Sequence, residues 1–166
     1  MFDEAGEDEL LLAAMMRLGA AGGALGGALG GAAAGGSGFA GGAGARGGAR
    51  GAARGFKRTT KDIAEQVMEL GMDAPEASQL VHRVLESVGR LVGVETRDDG
   101  SVAVRAMLGV GLGGLNPVVV TARVEQGPAG PARVSLRAAG REGLIKRHPA
   151  DRALAKIAPL LPATAL

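Results

Sequence analysis

Two histidines, a pair of adjacent aspartates and a run of six cations are the side chains here whose types could do chemistry. His82 and His148 are the only imidazoles, and neither has a second His or a Cys at metal-ligand spacing. His82 lies beside an apolar stripe of helical period, and His148 stands between Arg147 and Pro149 at the start of another; both read as boundary residues. Asp98 and Asp99 could share acid–base or cation-binding work. Gly100 follows them directly, however, and "DDG" between two alternating segments is foremost a turn. The serines (Ser37, Ser78, Ser87, Ser101, Ser135) show no nucleophile elbow. "GVGLGG", residues 109–114, has the glycine spacing of a phosphate-cradling loop, yet it leads through Pro117 into "VVVTARVE" and not into a helix, and no Lys-Ser/Thr pair follows. It reads as an inter-strand loop, and it is the place to look for a small-ligand grip. No catalytic residue, cofactor or metal is specified, and an enzyme is the least expected class.

The cations are more informative. Arg46, Arg50, Arg54, Lys57, Arg58 and Lys61 fall within "ARGGARGAARGFKRTTK", which contains no acid. They are the candidate contacts for an anion or a nucleic acid. Arg spaced by Gly and Ala resembles the disordered arginine–glycine segments that bind RNA, and a basic segment beside an uncharged tract also suits an anionic membrane face. GC-rich coding produces the same composition with no ligand at all. A second set, Arg97, Arg105, Arg123, Arg133 and Arg137 with Glu95 and Glu125, occupies the polar side of alternating segments. No Phe, Tyr or Trp accompanies it to stack bases, so cross-strand Arg–Glu pairs are the simpler reading. A helix-turn-helix over residues 61–91 would offer a base edge little beyond Gln79, His82 and Arg83.

Residues 18–45 form an uncharged tract with 13 Gly and 10 Ala among 28 residues. Gly19, Gly23, Gly27, Gly31 and Gly35 recur every fourth position, a small-xxx-small row that would let helices approach closely in a bilayer. Each Gly also costs a helix about 0.8–1.0 kcal/mol relative to Ala. The balance favours a flexible linker, with a membrane zipper as its competitor. Before the tract, "DELLLAAMMRL" spells a short helix. Asp3, Glu4, Glu7, Asp8 and Glu9 occupy the place where a secretory signal carries positive charge. With no Cys in the chain, a reducing, cytoplasmic setting is expected.

Order is expected to begin at Thr59. "TTKDIAEQVMELG" spaces Ile63, Val67 and Leu70 as a helix ending at Gly71. "DAPEASQLVHRVLESVGRLVG" adds a second, with Asp73 as cap, Pro75 in the first turn, Glu76 completing the box, and Ala77, Leu80, Val84, Val88 and Leu91 as the stripe. The period then drops to two. "VGVETR", "SVAVRAML", "VVVTARVEQ" and "ARVSLRAAG" read as four strands with Val104, Ala106, Leu108, Val118, Val120, Val134 and Leu136 among the inward residues. "HPADRALAKIAPLLP" closes as a short helix. The three Phe (Phe2, Phe39, Phe56) fall outside this region, so its core must be aliphatic. The expectation is a two-layer α+β domain over 59–166, a four-stranded antiparallel meander covered by helices. A disordered Gly/Ala-rich region, 1–58, precedes it.

The run from "DAPEASQLVHRVLESVGRLVGVETRDDG" through "GLNPVVVTARVE" to "EGLIKRHPADRALAKI" resembles small bacterial domains of uncharacterised role, in which a helix, a four-stranded meander and a closing helix follow a lipoprotein or low-complexity N-terminus. The resemblance implies the fold order and no activity, and this chain lacks the Cys that lipidation needs. Together these features suggest a non-enzymatic interaction domain on a flexible arm, with a protein partner or an anionic membrane surface. The alternative is binding of RNA or DNA through residues 46–61.

Overall fold

The computed structural model describes residues 3–33, 39–111, 114–128, 130–142 and 147–162. Phe2, Gly35, Ser37, Leu112, Gly113 and the 143–146 part of the closing motif lie outside them. The chain divides into two units, Asp3–Thr60 and Lys61–Leu166.

The first unit corrects the expectation of disorder. It contains two helices, α1 (Glu4–Ala33) and α2 (Phe39–Phe56), which pack as an antiparallel hairpin. Helix α1 begins earlier than its sequence suggested, because the Asp3 carboxylate accepts from the Gly6 backbone N–H at 3.0 Å, and Glu4 and Glu7 sit in the positive first turn. The glycines explain the rest. A Cβ on Gly19 would fall 2.5 Å from the Gly48 carbonyl oxygen and 2.7 Å from the Ala52 Cβ. At Gly23, Gly44 and Gly48 it would press closer still on the facing backbone. The two backbones therefore meet along Gly19 and Gly23 on one side and Gly44 and Gly48 on the other, where only hydrogen fits. The glycine penalty is a property of an isolated helix, and a packed partner offsets it. Continued along the helices, this register sets Leu11 level with Phe56, and both are buried. Phe56 is thus part of a packed structure, contrary to the sequence reading.

The second unit runs β1 (Thr60–Leu70), α3 (Ala74–Val88), β2 (Arg90–Thr96), β3 (Val102–Val110), β4 (Asn116–Gln126), β5 (Ala132–Glu142) and α4 (Pro149–Ile157), followed by a 3₁₀ turn, Ala158–Leu160. The α+β class holds, but the sheet has five antiparallel strands, in the order β1-β5-β4-β3-β2. The extra strand is the segment expected to be the first helix. "TKDIAEQVMEL" is rich in helix formers, and Ile63, Val67 and Leu70 carry a helical spacing. The segment also alternates: Ala64, Met68 and Leu70 pack on the core, while Ile63 and Val67 are exposed. Pairing beside β5 outweighs local propensity.

This order puts β1 on one edge and β2 on the other, so the connecting helix α3 must cross the sheet face. It carries the anticipated caps: Asp73 accepts from the Glu76 N–H at 2.9 Å, with Pro75 in the first turn. It buries Ala77, Val81, Val84 and Leu85 against Val104, Ala106, Val120, Ala122 and Leu136 of the central strands. Helix α4 returns over the same face through Ala150, Ala153, Leu154 and Ile157. Among the described residues, the buried core is aliphatic apart from Met68.

Candidate functional site

The six cations singled out in the sequence are not one flexible strip. Arg46, Arg50 and Arg54 are exposed and spaced by four on α2, so they share one helix face. That face is opposite the one presenting Gly44, Gly48 and Ala52, which lie two residues out of phase. Lys57 and Arg58 follow in a turn in which the Arg58 N–H donates to the Gly55 carbonyl at 2.9 Å. Lys61 belongs to strand β1 in the other unit.

The hairpin register adds what the sequence could not show. It places Arg50 level with Arg17, the last charged residue of α1, and Arg46 level with Ala21. The charged and uncharged parts of both helices thus change over at nearly the same height. Beyond that height run about 18 Å of uncharged helix to Ala33, at 1.5 Å per residue. On the outer side of α1, Leu18, Leu25 and Leu29 form an apolar stripe, the latter two 66% and 73% exposed. By length and composition Glu4–Leu29 is also apolar enough to cross a membrane.

A second constellation surrounds His148, for which the sequence offered no companion. Its backbone is left-handed (φ 46°), and it forms the N-cap of α4. Three carboxylates converge on its Nδ1 from three elements: Glu142 at 3.7 Å, Asp151 at 3.8 Å and Asp62 at 3.9 Å. Asp62 and Glu142 are largely buried, and each has backbone work. Asp62 accepts from the Ala150 N–H at 2.8 Å, and Glu142 accepts from the N–H groups of Arg147 and His148 at 3.1 and 2.7 Å. They stabilise the positive start of α4, which lacks a side-chain cap of its own. Asp62, His148 and Asp151 offer donor atoms within 4.8 Å of one another, the one set among the described residues that could hold a divalent cation. Strand pairing brings these groups together across some 90 residues of sequence, so no local spacing could have revealed them.

The Asp98–Asp99 pair behaves as a turn. Gly100 takes a left-handed φ of 78°, and its N–H donates to the Arg97 carbonyl at 2.9 Å. Asp99 accepts from both the Oγ and the N–H of Ser101, and Arg123 reaches its other oxygen at 2.6 Å. The Ser101 hydroxyl bond first and the Ser101 N–H second hold the Asp99 carboxyl below its ordinary range, against an opposing effect of desolvation and with lesser help from Arg123 and Arg97. Other sheet arginines are also engaged by acids: Arg133 stands opposite Glu125, Arg123 lies 3.4 Å from Glu125, and Arg137 meets Glu65 of β1 at 2.5 Å. The glycine loop joins antiparallel neighbours β3 and β4, with no helix after it.

A cleft of about 380 Å³ opens between α3 and the β2–β3 edge, lined by Ser78, Gln79, His82, Arg83, Val94, Val102 and Val104. His82 is thus partly exposed on a cleft wall, outside the buried stripe. No protein-family model matches the chain, and no curated protein matches it.

Proposed function

We propose that the protein is a non-enzymatic binding module of α+β fold, attached to an anionic membrane surface by its helical hairpin. The observation that carries this reading is the common height of the charge boundary on α1 and α2. A single hydrocarbon leaflet is about 15 Å deep, half of the usual ~30 Å core. The uncharged end of the hairpin matches that depth, with Leu25 and Leu29 as the groups that would enter lipid. Arg17, Arg46 and Arg50 would then lie at the headgroups, where each cation contributes roughly 1 kcal/mol on an anionic surface. Within their interiors both helices satisfy their own backbone polar groups, which favours insertion over an irregular chain. The reading is one of shallow insertion, because the chain reverses before a single helix could use the whole tract.

Nucleic acid is the second reading, favoured by the alignment of Arg46, Arg50 and Arg54 on one face. It leaves the exposed leucines without a role. Co-sedimentation of the full chain with phosphatidylglycerol vesicles, phosphatidylcholine vesicles and single-stranded RNA separates the two. We expect capture by the phosphatidylglycerol vesicles and at least a tenfold loss of it in Leu25→Asp/Leu29→Asp. Capture by RNA with none by vesicles would overturn the membrane reading, as would vesicle capture indifferent to the two leucines.

A further inference from the structure

The cleft beside α3 exists because of one extra residue in β2. Leu91 pairs with Ala106, but the next pairing is Gly93 with Arg105, so Val92 is bulged out of register. Without it, alternation would set Gly93 opposite Val104 and turn Val94 to the other face. With it, Val94 faces Val104 on the helix side of the sheet. Helix α3 does not reach that far: Val94 remains 54% exposed, while Val104 beneath the helix is buried. The result is an apolar floor of Val94, Val102 and Val104 at an open edge of the core.

The wall above that floor is polar and of one sign. Ser78, Gln79, His82 and Arg83 project from α3 at positions i, i+1, i+4 and i+5, the flank of the helix next to its buried stripe. The Ser78 hydroxyl is already engaged, donating to the Ala74 carbonyl at 2.7 Å. Gln79, His82 and Arg83 have no partner among the described residues. No carboxylate lines the cleft. Its volume lies at the small end of the range for ligand sites, which are characteristically apolar with a few convergent polar groups.

We infer that this cleft binds a small amphiphilic anion, a single apolar chain lying on the three valines with its carboxylate or similar headgroup held by Arg83 and Gln79. Charge complementarity sets the headgroup: a guanidinium over an apolar floor, in a cleft whose lining holds no carboxylate, favours an anion over a neutral or cationic amphiphile. The inference stands on the unit Lys61–Leu166 alone and does not depend on what the hairpin does.

The test is a titration of the full, nitrogen-15-labelled chain with decanoate, at concentrations below micelle formation and without vesicles. Saturable amide shifts are expected at residues 78–83, Val94 and 102–104, with decanol and decyltrimethylammonium at least tenfold weaker. Arg83→Gln, at an exposed site, should weaken decanoate at least fivefold, and Val94→Gln should do likewise. Leu25→Asp/Leu29→Asp should leave it unchanged, which separates this site from any lipid contact of the hairpin. Absence of saturable shifts in these residues, equal binding of all three amphiphiles, or indifference to both cleft substitutions would overturn the inference.

Discussion

Asp99 shows how much of a residue's chemistry is set by its nearest bonds. Its carboxylate sits in a surface turn, yet two bonds from Ser101 and the approach of Arg123 favour the charged form. Since the folded-state pKa is lowered, the stabilisation is complete above the ordinary carboxylate value near 4 and is lost as pH falls through the lower folded value. Ser101→Ala removes the largest of these effects. A carboxyl carbon-13 titration should therefore show the Asp99 pKa moving upward, toward the unperturbed range, with the β2–β3 turn retained. No rise would mean that the hydroxyl bond does not act as described. The sequence marked this site correctly as a turn. It could not show that Arg123, from the neighbouring strand β4, would arrive at the same carboxylate.

At the scale of elements, the glycines of the hairpin fall into two sets with opposite expected responses. Gly22, Gly26, Gly47 and Gly51 face open space, so Ala at each should stabilise the helices by about 0.8–1.0 kcal/mol. Ala at Gly23, Gly44 or Gly48 drives a methyl into the facing backbone and should loosen the hairpin. Thermal unfolding followed by circular dichroism would separate the sets; equal effects would mean that the seam is not where it is drawn. The four-residue glycine row was visible in the sequence, but the partner helix was not. Without a partner, the propensity cost alone argues for a flexible chain. The segment 60–70 failed for the converse reason. Its residues favour a helix locally, and the open edge of β5 that makes it a strand is formed by residues 132–142. Asp73, Pro75 and Glu76, by contrast, act within one turn, and that helix was legible from them alone. The strict alternation of Val118, Val120, Ala122 and Val124 likewise needed no distant information to be read as a strand, although Val119 and Thr121 on its other face are buried too, which the sequence did not show.

For the molecule as a whole, the boundary between Thr60 and Lys61 separates a unit built on glycine from one built on branched aliphatic side chains. Lys57 and Arg58 occupy an exposed turn just before it. Limited trypsin digestion of the full chain should cut there early and leave a persistent fragment beginning near Thr59, since the arginines of β3, β4 and β5 are held in paired strands. Early cleavage within 105–141, detected by mass spectrometry, would contradict the sheet. The acids around His148 belong to this scale too, because β1, β5 and α4 each supply part of the cluster. Neither it nor the α3 cleft has any signature in local sequence, since strand order and a single bulge create them.

The seam between α1 and α2 has one further consequence. A joint made by bulky side chains has a single fitting position, but this one repeats. Glycine recurs every four residues on α1, and Gly44 and Gly48 share that spacing, so sliding one rod past the other by about 6 Å, four rises of 1.5 Å, sets Gly23 against Gly48 once more. The zipper by itself thus leaves the two rods free to choose among several alignments. What distinguishes one is the pair of large buried groups toward the far end, Leu11 and Phe56, which stand level in this alignment and would part in any other.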